Sequence, residues 1–219
     1  LNALHYFFDG KKVPSEQLAR EAVYIEKKIL KKPIGYQDQY ATAFGGFNWI
    51  EFYRDEIIVT PLKLPKDIIL ELEHNLMLFR LGGTRNSSEI QESLIQTVEK
   101  QSEGLSAFGK MSMLAIEMKK CLLKGQLDAF GNLLHEAWLI KRQMNSSVSN
   151  SFVDYIYSKA IQCGAIGGKI LGAGGSGYLL IYAHESCQSN ITEVFSEEGI
   201  FEEEFQYSHE GLQAWSAPK

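Results

Sequence analysis

Cysteine is scarce in this chain: Cys121, Cys163 and Cys187 are the only three in 219 residues. An odd number without metal-ligand spacing argues against a disulfide framework or a thiolate metal site, and reads as reduced thiols of a cytoplasmic protein. Basic excess is lacking too. Twenty-two Lys and Arg stand against 27 Asp and Glu, a net charge of -5, which argues against non-specific binding of nucleic acid. No apolar run approaches the ~20 residues of a membrane-spanning helix. Nothing repeats internally, and no segment is of low complexity. The chain does not open with Met, and Leu1, Leu4, Phe7 and Phe8 already lie on an apolar stripe. It therefore reads as a truncated chain, for which a missing targeting segment carries no meaning.

What is present is an ordinary globular composition, 45% hydrophobic and 22% charged, long enough for one or two domains with a proper core. The most informative stretch is Gly164–Ala183, GAIGGKILGAGGSGYLLIYA, where six of the 19 glycines fall between Gly167 and Gly177. Lys169-Ile170-Leu171 precedes the loop, and the β-branched and aromatic run Tyr178–Tyr182 follows it. The stretch reads as strand, glycine loop, strand. Such a loop lets backbone amides face an anion without an intervening Cβ. Gly172-Ala173-Gly174-Gly175-Ser176-Gly177 matches GxGxxG, yet a dinucleotide fold requires a helix directly after the glycines. A Walker loop requires Gly-Lys-Ser/Thr, which is absent. A protein kinase loop requires catalytic motifs downstream, where only some forty residues remain. From the loop alone, an anion cradle and a ligand-free hairpin stand level.

Along the chain, residues 1–8 read as a helix end stopped at Asp9-Gly10. Ser15 reads as the N-cap of a helix over 15–31 that ends before Pro33. Residues 33–41 read as a polar and aromatic loop containing Asp38. Runs 47–53 and 56–62 form a hairpin about Arg54-Asp55, and Pro61 and Pro65 mark a domain seam. Residues 68–81 read as a strand, followed by a Gly82-Gly83 loop. Helices are expected over 87–103, 105–124, 126–144 and 149–163, with Leu127, Phe130, Leu134 and Trp138 as a core stripe in the third. A short helix over 187–197 and a strand over 200–207 follow the glycine hairpin. This order suits an α+β sandwich rather than a doubly wound sheet.

Three stretches carry a family resemblance: Pro33-Ile34-Gly35-Tyr36-Gln37-Asp38-Gln39, Leu134-His135-Glu136-Ala137-Trp138 and Gly168–Gly177. Together they resemble the GHMP small-molecule kinases, and among these most of all the D-glycero-D-manno-heptose 7-phosphate kinases. The resemblance runs over nearly the whole chain. It lacks the family's earlier Gly-Ser-Ser phosphate loop, so the sequence looks like the C-terminal part of such a kinase. It implies residues 1–64 as the end of the N-terminal domain, and residues 65–219 as the α/β-sandwich, ferredoxin-like C-terminal domain.

The resemblance also implies the site. Asp38 takes the place of the catalytic aspartate that accepts or orients the hydroxyl proton; the plainer reading is a turn aspartate bonding its own backbone. Glu26 corresponds to a glutamate that approaches Mg²⁺ in relatives, against the plainer reading of a solvated residue beside Lys27 and Lys28. Gly172, Gly174, Gly175 and Ser176 would approach nucleotide phosphates or support the early loop. Gly35, Gln39 and Arg85 would contact the sugar phosphate, Arg85 by a bidentate pair; Leu81 departs from the family's Thr near it. Lys169 reads as an exposed strand lysine. His135, Trp138 and Arg142 share a helix flank, read as a buried Trp beside a solvated His.

The function implied is a cytoplasmic, ATP- and Mg²⁺-dependent kinase of the anomeric hydroxyl of a heptose 7-phosphate, in polysaccharide biosynthesis. Nucleic acid and membrane are not expected as partners, whereas a homo-oligomer is compatible. The alternatives are a 1-kinase for a free sugar such as L-fucose, and a non-catalytic sugar-binding module, against which Asp38 speaks. Taken alone, residues 1–219 are expected to bind ATP weakly and to lack turnover, since the early loop is not among them.

Overall fold

The computed structural model describes residues 1–82, 102–172 and 174–215. The chain forms two compact units, Leu1–Lys63 with Tyr207–Lys219, and Leu64–Gln206. The sequence division placed everything after residue 64 together, whereas the tail from Tyr207 folds with the first unit. Phe47 and Tyr207 stack there at 4.5 Å, and Gly46 N–H donates to Ser208 O at 3.0 Å.

In the first unit α1 (Asn2–Asp9) ends on Gly10 in a left-handed cap, as Asp9-Gly10 foretold. Helix α2 (Ser15–Tyr24) continues into a π-turn over Ile25–Ile29. Pro14, not Ser15, is its N-cap, and no side chain caps it; Pro14 has an extended ψ of 146 and leaves Ser15 as the first helical residue. Lys31 takes φ 52, an uncommon left-handed conformation for a non-glycine, just beyond the π-turn. Residues 37–44 are not loop but helix α3 (Gln37–Phe44). It has no side-chain cap, so its local signal is weak. Packing supplies the stability: Tyr40 and Ala43 bury against Leu18 and Ala19 of α2, with Val13, Val23, Phe44, Ile50, Ile57 and Val59 around them. Strands β1 (Asn48–Phe52) and β2 (Ile57–Pro61) form the expected antiparallel hairpin, Trp49 opposite Thr60 and Phe52 opposite Ile57.

The second unit opens with a correction. Residues 66–75 form helix α4 (Lys66–Asn75), and the strand, β3, covers only Leu76–Gly82. Pro65 stands at the N-cap and Asp67 in the first turn, helix-start signals that the apolar run obscured. The helices α5 (Ser102–Leu123), α6 (Leu127–Met144) and α7 (Ser151–Gln162) fall close to expectation, while the helix expected over 87–103 lies almost wholly outside the described residues. Strands β4 (Gly167–Ile170) and β5 (Gly177–Tyr182) flank the glycine loop as read, and α8 (Glu185–Glu197) follows. The sheet is antiparallel in the order β3-β5-β4. The expected strand over 200–207 reduces to a single bridge from Phe79 to Glu202, with Glu203 N–H donating to Leu78 O.

Alternation along β3 and β5 sends Met77, Phe79, Leu179 and Ile181 into the core with Val153, Ile156 and Ala160 of α7 and Ile191 and Phe195 of α8. Phe79 meets Phe195 edge to face at 4.5 Å, a geometry that adds about 0.5–1.5 kcal/mol beyond area burial. Helix α6 presents Leu127, Gly131, Leu134 and Trp138 as a buried stripe. Gly131 and Gly167 allow it to lie directly on β4: a Cβ on Gly167 would stand 2.0 Å from Gly131 O. The result is an α+β unit of helices on a small antiparallel sheet. Among the described residues no helix is long and apolar enough to cross a membrane.

Candidate active site

Two clusters hold the residues singled out by sequence, one in each unit. In the first unit, Asp38 lies in the first turn of α3 and is exposed. A carboxylate there sits at the positive end of the helix dipole. Its neighbour Gln39 is half-buried and donates through Nε2 to Glu26 Oε1 at 3.0 Å. Glu26 is half-buried in the π-turn, and a π-turn re-aims side chains relative to a regular helix. Gln39 Oε1 is buried without a hydrogen-bond partner among the described residues. Gly35 is exposed just before α3, and Lys27 Nζ lies 3.9 Å above the Tyr36 ring beside it. Below the cluster Tyr40 Oη donates to Glu16 Oε1 at 3.2 Å, and burial, with Glu16 adding to it, pushes its hydroxyl up to about 12. It stays a neutral donor that anchors α3 to α2.

In the second unit the glycine loop is fastened from two sides. Lys141 Nζ, in the last turn of α6, donates to Gly172 O at 2.7 Å. Asn150, the N-cap of α7, accepts from Val153 N–H and donates through Nδ2 to Gly175 O at 2.9 Å. Gly175 N–H is occupied by Val148 O at 2.7 Å. Gly174 takes φ 105 and is buried where a Cβ would stand 2.7 Å from Val148 O. Gly174 and Gly175 therefore set the shape of the loop, while Gly172 is exposed and Ser176 half-buried beside them. Lys169 is half-buried rather than exposed, and burial pushes its ammonium pKa down. Lys141 is pushed down to about 8 by burial and then by the charge of Lys169.

His135 is not solvated as expected. Its Nδ1 lies 2.6 Å from Tyr157 Oη, and the two rings lie nearly parallel; burial pushes the Tyr157 hydroxyl up. Trp138 is buried beside them, as read. Arg142 is held by Asp154 at 2.8 Å. Arg85 lies outside the described residues. A cavity of about 520 Å³ in the first unit is lined by Ala3, Tyr6, Phe7, Gln213, Ala214 and Trp215, none of them a candidate site residue.

The sequence reading passed over Lys141 and Asn150. Lys141 continues the Leu134–Trp138 stripe one turn on, which placed it on the sheet side of α6. Asn150 directly precedes a helix start, the usual place of an N-cap.

For Mg²⁺ the fit is one of donor chemistry. No group of three or more His, Cys, Asp or Glu side chains gathers among the described residues. A single half-buried carboxylate, Glu26, is what Mg²⁺ takes from protein when substrate phosphates and water complete its shell. For ATP the fit is the exposed Gly172 and the half-buried Ser176 of the glycine loop.

Residues 118–200 match the family model described as GHMP kinases C terminal. The chain is similar to particular sugar kinases. It is 32% identical over 200 residues to the D-glycero-alpha-D-manno-heptose 7-phosphate kinase of Campylobacter jejuni, covering 91% of this chain and 59% of that protein. It superposes on the crystal structure of a D-glycero-D-manno-heptose 1-phosphate kinase from Bacteroides thetaiotaomicron with a TM-score of 0.74 and 28% identity, covering 99% of this chain and 60% of that one. A bifunctional fucokinase/GDP-fucose pyrophosphorylase of Arabidopsis thaliana is 25% identical over 78% of this chain and 16% of its own length. The chain thus spans about three fifths of the length of the heptose phosphate kinases it matches.

Proposed function

We propose that the protein is an ATP-dependent kinase of a heptose phosphate, acting on the anomeric hydroxyl of D-glycero-D-manno-heptose 7-phosphate. The observation that carries this reading is the Gly35-x-x-Asp38-Gln39 turn, which sets an exposed carboxylate at a helix N-terminus beside a Gln–Glu pair. The similarity to a heptose 7-phosphate kinase supports the acceptor.

In this reading the acceptor oxygen attacks the γ-phosphorus of ATP. The bond from phosphorus to the ADP oxygen breaks, and the hydroxyl proton passes to Asp38 and then to water. Phosphoryl transfer needs positioning and charge stabilisation more than covalent help, so the other residues act as holders. Gly35 and Gln39 orient the sugar, the free Gln39 Oε1 accepting from a sugar hydroxyl. Arg85 pairs with the acceptor's phosphate. Gly172 and Ser176 face the nucleotide phosphates, while Gly174 and Gly175 fix the loop. Glu26 would help hold Mg²⁺, which when bound neutralises charge on the transferring phosphates. The protein works in the cytoplasm in polysaccharide biosynthesis, as a monomer or a homo-oligomer.

A second reading, a 1-kinase for a free sugar, is favoured by the similarity to a fucokinase. The test is an acceptor panel with the natural full-length protein: the heptose 7-phosphate, the same heptose unphosphorylated, L-fucose and galactose. A kcat/KM at least tenfold higher for the phosphorylated heptose is expected, and Arg85→Ala should raise its KM without changing that of ATP. Equal use of free and phosphorylated sugar would install the second reading. No turnover with any sugar would leave a non-catalytic sugar-binding module.

A further inference from the structure

Two lysines on facing elements of the second unit are half-buried, close enough for Lys141 to feel the charge of Lys169, and bound to no carboxylate among the described residues. Lys169 is in the middle of β4, on the same sheet face as Gly167 by strand alternation. That is the face on which α6 lies through Gly131. Lys141 comes from the last turn of α6, ten residues beyond Gly131, and among the described residues it bonds to the Gly172 carbonyl alone. Among the described residues Lys169 makes no hydrogen bond or ion pair. Asp154, the partner of the adjacent Arg142, is occupied by it and by Ser149.

A lysine at a helix C-terminus is ordinarily explained by the dipole and the last carbonyls. That accounts for Lys141 and Arg142 and leaves Lys169 unexplained. A half-buried ammonium loses hydration, and a second cation beside it raises the cost further. Each ammonium has three donors. Lys141 uses one on Gly172 and retains two, and Lys169 retains all three. An oxyanion of charge near -2 would answer both cations at once through charge-assisted bonds.

We propose that Lys141 and Lys169, with the exposed Gly172 end of the glycine loop, form a binding site for a phosphate group. The site stands on these side chains. Which molecule carries the phosphate, the sugar phosphate or the nucleotide, rests on the kinase reading. The site is separate from the loop amides first expected to cradle a phosphate, since Gly175 N–H is already bound to Val148 O.

The test is titration of the full-length protein with inorganic phosphate, followed by calorimetry and by NMR of ε-¹³C-labelled lysines. In the wild type, phosphate should bind saturably and move the Lys141 and Lys169 resonances together. Lys141→Gln or Lys169→Gln should weaken binding at least tenfold, and Lys169→Arg should retain most of it, which separates loss of charge from loss of fold. Parallel titrations with a heptose 7-phosphate and with ADP assign the carrier: the ligand whose affinity falls in Lys169→Gln owns the phosphate. No phosphate binding, or binding equal in the wild type and both glutamine variants, would overturn the proposal. Lysine-dependent phosphate binding in a protein that phosphorylates no sugar would retain the site and overturn the kinase reading instead.

Discussion

Gln39 donates to Glu26 across 3.0 Å and so ties the first turn of α3 to the π-turn that ends α2. Asp38 is the residue before Gln39, and its position is set by that tie and by Tyr40 buried on the other side. Neighbouring residues in a helix point about 100° apart, so Gln39 and Tyr40 can be held inward while Asp38 remains exposed. The geometry leaves a carboxylate free at a fixed place, which is what a group receiving a proton from a bound hydroxyl requires.

Replacing Asp38 by Asn keeps the shape and removes the carboxylate proposed as the base. The variant should fold as the wild type does, bind ATP equally and lose turnover by roughly 10²–10⁴-fold. Stopped-flow and steady-state assays on the full-length protein measure it. Turnover near the wild-type value would remove Asp38 from the chemistry.

Gln39→Met should affect binding more than chemistry. It takes the donor from Glu26 and the free acceptor Oε1 from the site. A lost bond of this kind costs about 1–3 kcal/mol, so the acceptor KM should rise about tenfold or more, together with the Mg²⁺ concentration needed for half activity. A change in kcat alone would show that Gln39 does not hold either group.

The sequence made the glycine hairpin and the helices after residue 102 readable, because period and glycine density are local signals. It misread residues 37–41 and 68–75, where the deciding contacts are distant. Helix α3 has neither a capping side chain nor an acid before Asp38, and only the burial of Tyr40 and Ala43 against α2 makes it helical. In residues 68–81 one apolar run serves a helix and then a strand, and the change at Asn75–Leu76 has no glycine or proline to mark it. Asp38 and Glu26 became candidates through the resemblance, whereas the glycine loop stood out on glycine density alone. Lys141 escaped because a lysine on a stripe reads as its solvated end until the strand beneath it is known.

The glycine loop should be sensitive to its fastenings. Gly174→Ala places a Cβ 2.7 Å from Val148 O on a backbone at φ 105, a conformation that costs an L-residue on the order of 1–3 kcal/mol. Asn150→Ala removes an N-cap, about 1 kcal/mol, together with the bond to Gly175 O. Urea melts should show both losses, with Gly174→Ala at least equal to Asn150→Ala. A melt of Gly174→Ala indistinguishable from wild type would show that the loop can turn elsewhere.

The tie between α1 and α2 should respond to pH. His5 Nε2 lies 2.6 Å from Glu21 Oε2, and Nδ1 lies 3.2 Å from Asp9 Oδ2. The bond to Glu21, and then that to Asp9, raises the pKa of His5 above its ordinary value; the bond to His5, and then that to Gln17, lowers the pKa of Glu21. A histidine raised in the folded state stabilises fully below its unfolded pKa, and that contribution fades as pH rises through the folded value. A glutamate lowered in the folded state contributes above its unfolded pKa, and loses that as pH falls through the folded value. The pair is therefore intact only between the lowered Glu21 and the raised His5. An NMR titration should place His5 above the ordinary histidine range of about 6.5, and Glu21→Gln should bring it back toward that range. In urea melts, a double-mutant cycle of His5→Gln and Glu21→Gln should show coupling at about pH 5.5 and none at about pH 9.5. Equal coupling at both values would mean that the contact is a neutral hydrogen bond, and that charge has no part in joining the two helices.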